Sequence, residues 1–226
     1  SGRTPWGTYL TCEENFNNYF SSSDKNFKST DELHRYGIRT REIGLNWAKA
    51  DSRFDLSKEV NEPNKVGYVV EIDPLNPNST PKKHTALGRF KHENAELVIS
   101  KDGKIVVYMG DDERGEYLYK YVSNESINEV KDKGTLLSNG NLYVAKFNDN
   151  FSGEWLLLDT QTTGLSSKAE ICIFTRLAAS KVGATTMDRP EWIASNPKKN
   201  EVCCCLTNNK NRGCLLYTSD AADETE

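Results

Sequence analysis

Apolar residues along this chain fall in short runs separated by polar turns, with few long stripes of helical spacing. Runs of that length between turn signals read as β-strands. The clear ones are Gly7–Thr11, Gly67–Ile72, Glu96–Ser100, Ile105–Gly110, Tyr117–Val122, Asn141–Asn148, Trp155–Leu158 and Glu201–Leu206. Glu71-Ile-Asp-Pro74 closes one strand in a proline-marked turn. Asp102-Gly103 sits between two apolar runs as a hairpin pair. Glu96–Val122 therefore reads as three antiparallel strands in a meander.

Helical signal is sparse. Lys168–Val182 is the best candidate, with Ile171, Phe174, Leu177 and Ala178 on one face. Ser29–Ile38 and Leu45–Ala50 are weaker helical segments, and residues 51–66 and 73–85 read as exposed loops. No strict repeat is visible. An apolar strand followed by a turn nonetheless returns as V-V-E-I-D-P, V-I-S-K-D-G and W-I-A-S-N-P-K-K-N-E-V. Propeller blades are punctuated in this way. The expected class is all-β: a partial β-propeller of antiparallel meander strands, with loop and short helix insertions, over residues 1–213.

A chain of 226 residues is long enough to bury one core. The formal net charge of −4 and the absence of a dense Lys/Arg stripe argue against a nucleic-acid partner. No apolar run approaches bilayer length, so stable membrane insertion is not expected. The acidic excess is local: residues 214–226 hold Asp220, Asp223, Glu224 and Glu226 and no Lys or Arg. That stretch, C-L-L-Y-T-S-D-A-A-D-E-T-E, resembles a translated sequencing adapter and reads as a non-native or disordered tail. Six cysteines follow neither a zinc spacing nor a disulfide framework. Cys203–Cys205, consecutive in a predicted strand, read as small buried hydrophobes on alternating faces.

Three places carry chemistry. Cys12-Glu13-Glu14-Asn15 follows a strand. Its carboxylates and amide suit a hard cation and its thiol a transition metal, although a solvated turn has the same composition. His92-Glu93 and Asp111-Asp112 flank a hairpin whose pairing brings them to one sheet edge. There clustered carboxylates need a counter-charge; a charged loop tip is the alternative. In Asp188-Arg189-Pro190-Glu191, Pro190 pushes Arg189 toward an extended conformation, which puts Arg189 and Glu191 on one side. A guanidinium beside a metal-binding carboxylate suits a phosphate group, and an ordinary surface ion pair is the alternative.

T-P-W-G-T-Y-L-T-C-E-E-N, H-E-N-A, Y-M-G-D-D-E-R-G-E-Y-L-Y-K-Y-V-S and M-D-R-P-E-W-I, followed by L-T-N-N, resemble the PhoX-type alkaline phosphatases. The resemblance runs from Arg3 to about Arg212 with the segments in family order. It implies a bacterial β-propeller enzyme, exported to the periplasm or secreted, that hydrolyses small phosphate monoesters. It implies a cluster of two ferric ions with calcium; a monomer is expected. Cys12 then corresponds to an iron ligand, and Glu13, Glu14, Glu93 and Glu191 to metal-binding carboxylates. Asp112 would be a calcium ligand, and Arg189 would hold the phosphate. No protein nucleophile is required. The resemblance also makes this sequence an internal stretch of a longer protein, inactive as an isolated fragment, with any export signal upstream. A non-catalytic, calcium-stabilised propeller acting as a secreted binding module is the competing reading. Cys12 together with Arg189 favours the enzyme, because a structural calcium site has little use for a thiolate.

Overall fold

The computed structural model describes residues 1–210, and the expectations for 214–226 and for Cys214 lie outside the described residues. Antiparallel strands dominate. The first sheet runs β1 (Gly2–Arg3), β2 (Tyr9–Cys12), β3 (Val69–Ile72) and β4 (Lys82–His84), in that spatial order. Then come β5 (Glu96–Ile99), β6 (Lys104–Gly110), β7 (Arg114–Glu116), β8 (Leu118–Ser126), β9 (Gly140–Phe147) and β10 (Gly153–Leu157). Five of them form the central sheet in the order β10-β9-β8-β6-β5. The predicted meander is present, closed by a hairpin in which Gly103 takes φ +80°, a conformation glycine adopts without penalty.

The central sheet is covered on both faces. On one, Ile105, Val107 and Met109 of β6 join Tyr119, Tyr121, Leu142 and Val144 in the main core. Residues of α4 (Lys168–Ile173) and α5 (Thr175–Lys181) close over them; three shorter turns, α1 (Asp31–Arg35), α2 (Trp47–Ala50) and α3 (Thr160–Thr163), precede these in the chain. On the other face, Leu118 and Ala145 pack with Ile193 of β12 (Pro190–Ser195). β11 (Met187–Asp188) pairs with β7, and β12 pairs with β13 (Val202–Leu206). Burial on both faces explains why β6 reads as an almost continuous apolar run.

Three expectations change. The single helix over 168–182 is broken at Phe174, whose backbone leaves helical geometry. The break turns the buried face, so Thr175 and Arg176 point inward and Phe174 and Leu177 are only half-buried. Residues 51–66 are not a uniformly exposed loop, since Asp55 and Leu56 are buried, Leu56 in a second core with Phe16, Phe20 and Tyr36. Of the consecutive cysteines only Cys204 turns toward the core; Cys203 and Cys205 are exposed.

Candidate metal centre

β2 delivers the Cys12–Asn15 segment. Beyond Cys12 the chain continues along β3 for one more bond, from the Glu13 N–H to the Tyr68 carbonyl, 2.9 Å. The Glu13 carboxylate folds back, accepting from the N–H groups of Gly67 (2.9 Å) and Tyr68 (3.1 Å) and pairing with Lys83 at 2.8 Å. Glu14 points the other way and accepts from the Asn15 amide at 3.0 Å.

The second segment is fixed by a buried ion pair. Asp111 is fully buried, and its carboxylate accepts from Arg176 Nε and Nη2 at 2.7 and 2.6 Å. The same carboxylate accepts from the Lys91 N–H at 3.2 Å, while the Asp112 N–H donates to the Lys91 carbonyl at 3.0 Å. His92 bridges Asp111 in antiparallel fashion, as the hairpin predicts. The His92 ring stacks on Phe90 with centroids 3.7 Å apart, and its Nε2–H donates to the Gly88 carbonyl. Burial lowers its pKa to about 3, so it is a neutral packing group. Glu93 and Asp112, one residue along on each side, emerge together.

Ligand oxygens of Glu14, Glu93 and Asp112 all lie within 4.8 Å of one another, and all three residues are half-buried. Burial raises the Glu14 pKa, and the charges of Glu93 and Asp112 raise it further. Cys12 adjoins this group. Its thiol is pushed up by burial and by the charges of Glu93 and Glu14, against the opposing influence of the Ser1 amino group. Three partly desolvated carboxylates this close repel one another unless a cation or a shared proton intervenes. The donor set therefore fits a cation: oxygens for a hard ion, with a thiol alongside for a transition metal.

The third segment brings Arg189. Its guanidinium grips Asp112 with two prongs, Nε to Oδ1 at 2.9 Å and Nη2 to Oδ2 at 3.1 Å, and lies 3.0 Å from Glu191. Among the described residues Nη1 makes no hydrogen bond or ion pair. The extended conformation expected from Pro190 is not adopted: Arg189 takes φ +52°. Left-handed geometry in a non-glycine residue costs on the order of 1 kcal/mol and is found where surrounding contacts impose it. Here the Asp112 and Glu191 bonds impose it. Glu191 also accepts from the Thr207 hydroxyl at 2.6 Å. The strand carrying these residues is locked to the second segment by Asn94, a buried amide next to Glu93 that accepts from Ile193 N–H (3.1 Å) and donates to Ile193 C=O (2.8 Å). Gly110 permits the close crossing, since a Cβ there would stand 2.3 Å from the Pro190 oxygen and 2.6 Å from that of Glu191.

The sequence matches the alkaline phosphatase PhoX family over residues 1–226. This chain belongs to that family. The fold is similar to a solved structure described as Pseudomonas fluorescens PhoX in complex with vanadate, a transition state analogue. The TM-score is 0.89 at 50% sequence identity, over 94% of this chain. The chain spans 39% of the length of that protein. Among curated proteins no match is found.

Of the residues singled out in the sequence, Glu14, Glu93 and Asp112 form the group, Cys12 adjoins it, Arg189 joins it through Asp112, and Glu191 joins through Arg189. Glu13 lies outside it, committed to β3 and Lys83. Asp111, expected within the carboxylate cluster, is instead buried against Arg176, and the roles of Arg176 and Asn94 were not anticipated. Asn94 stands inside the H-E-N-A motif and Asp111 inside G-D-D, so adjacency to predicted ligands was the only available signal.

Proposed function

We propose that this chain is the part of a phosphate monoesterase that carries metal-binding carboxylates and a phosphate-gripping arginine. The convergence of Glu14, Glu93 and Asp112 beside the Arg189 fork is the observation that carries the reading. Family membership and likeness to a vanadate-bound relative support it. Because the chain spans 39% of that relative, the activity is proposed for a full-length protein containing it.

Glu14, Glu93 and Asp112, with Cys12 and Glu191, would hold iron and calcium; such cations neutralise the carboxylates and polarise phosphoryl oxygens. Arg189 would supply the phosphate-binding group of this chain. Asp112 and Glu191 orient its planar fork, and the free Nη1 arm meets a phosphoryl oxygen, where it stabilises charge developing on the transferring group. The left-handed backbone at Arg189 presets that direction. Asn94 ties the Glu93 segment to the strand of Arg189 and Glu191, and the Asp111–Arg176 pair anchors the segment of Asp112, which matters because small misplacements of a charge-stabilising group cost large factors in rate.

The substrates in this reading are small phosphomonoesters, and the protein acts as a monomer in the periplasm or outside the cell, built as a β-propeller. Among the described residues no helix is long and apolar enough to cross a membrane. The deciding experiment measures metal content and turnover of a phosphate monoester by the full-length protein, wild type against Cys12→Ala. Bound iron with turnover, both lost in the variant, is the expected result. Calcium without iron and no turnover in either protein would instead leave a calcium-stabilised binding module.

A further inference from the structure

Beside the carboxylate group lies a recess of about 490 Å³ whose walls include Asn17, His34, Arg39, Arg41, Lys91 and Glu113. Three of the walls come from the very segments that supply the carboxylates. Asn17 follows Glu14 in the short 3₁₀ turn Phe16–Tyr19, Lys91 precedes Glu93, and Glu113 follows Asp112. The bond from the Asp112 N–H to the Lys91 carbonyl joins two of them directly. Recess and centre therefore share a backbone frame.

The fourth wall is the loop after α1, and its charges set it apart. Arg35, Arg89, Arg176 and Arg189 are all engaged, with Glu116, backbone carbonyls, Asp111 and Asp112 respectively. Arg39 and Arg41 make no hydrogen bond or ion pair among the described residues, and both are exposed at the recess. Glu113, the one carboxylate in the lining, is committed to Lys91 at 2.6 Å and does not answer them. A second observation points to a ligand as well. Asn17 is 8% exposed, its Nδ2 donates to the Gly37 carbonyl at 3.1 Å, and its Oδ1 is buried with no partner. The bond to Gly37 orients the amide and leaves its Oδ1 as an unsatisfied acceptor just beneath the wall.

We propose that this recess is a specificity subsite, in which Arg39 and Arg41 receive a second anionic group carried on the alcohol portion of the phosphate monoester. Guanidinium forks grip phosphate or carboxylate through charge-assisted bonds, and a small movement of the Asn17 amide would let its unsatisfied Oδ1 accept from a hydroxyl on the same portion. The preferred substrates are hydroxylated phosphomonoesters with a further phosphate or carboxylate, of which a sugar bisphosphate is the simplest. The proposal rests on the phosphatase reading.

The test compares a hexose monophosphate with a hexose bisphosphate as substrates of the full-length protein, in wild type and in Arg39→Ala, Arg41→Ala and the double variant. The double variant should lose about tenfold or more in kcat/KM on the bisphosphate, chiefly through KM. Turnover of the monophosphate should stay within about twofold, and Arg39→Lys with Arg41→Lys should recover part of the loss, because charge is kept. Equal losses on both esters, or an unchanged preference, would overturn the subsite while leaving the phosphatase reading intact. A wild type that hydrolyses neither ester overturns that reading, and the subsite with it.

Discussion

Asp112 and Arg189 meet edge to edge, carboxylate against guanidinium, through two bonds of 2.9 and 3.1 Å. A lysine in place of the arginine keeps the charge but cannot reproduce the fork or leave a directed arm for a ligand. Arg189→Lys in the full-length protein should lower kcat/KM for a phosphate monoester on the order of a hundredfold. Steady-state kinetics decide it; wild-type turnover in the variant would remove Arg189 from phosphate binding.

Asp111 and Arg176 are buried together, and removing one charge strands the other. Asp111→Asn should destabilise the protein by about 3 kcal/mol, read by urea denaturation. A loss below about 1 kcal/mol would mean that Glu116, 3.7 Å from Arg176, compensates fully.

Asn94 pairs with the backbone of Ile193 as a neighbouring strand would. Asn94→Leu leaves a buried N–H and C=O without partners and should cost about 2 kcal/mol. The same variant should weaken cation binding, since the strand carrying Arg189 and Glu191 is no longer clamped beside Glu93. Titration calorimetry with calcium and unaltered affinity would refute the clamp.

At Gly110 the crossing strand leaves no room for a methyl group. The atoms a Cβ would meet are backbone oxygens of Pro190 and Glu191, which no rotamer change can move. Gly110→Ala should therefore cost about 2 kcal/mol and shift the 189–191 segment, lowering turnover along with stability. An alanine variant with unchanged denaturation midpoint and activity would contradict the close approach.

Glu71 lies away from the centre and should contribute to stability in acid. Burial raises its pKa, but bonds from His84 (2.9 Å), Thr8 (2.5 Å) and Trp6 (2.7 Å) outweigh this and hold it at about 2. A folded pKa below the unfolded one contributes stability that is present above pH ~4.3 and disappears as pH falls toward 2. The contribution is roughly 3 kcal/mol. Glu71→Gln should flatten stability against pH in that window; an acid limb identical to wild type would exclude Glu71 as its source.

The strands were legible because alternation and turn residues are local signals, and β2, β3, β5, β6, β8, β9, β10 and β13 all lie where apolar runs stand. Glu93 and Asp112 were legible together because the Asp102-Gly103 hairpin dictates which ends meet. Glu13 and Glu14 were not separable: neighbours leaving a strand face opposite ways, and sequence does not say which of the two turns back to the Gly67 and Tyr68 amides. Arg189 defied the rule for residues before proline because its ion pairs outweigh a local preference. Asn94 and Arg176 were invisible, since what each needs is a backbone group or a carboxylate far away in the chain.

The closeness of Glu14, Glu93 and Asp112 also bears on how the protein lives without its ions. Each comes from a different loop, and Arg189 answers only Asp112, so the repulsion left between them bears on the crossing that Asn94 clamps. A cation bound there, as proposed, would relieve the repulsion and staple three remote stretches of chain, so that its affinity and the resistance of the fold to unfolding would become one linked quantity. Scarcity of the ion would then be felt first as a shorter lifetime of the folded chain, before any question of rate arises.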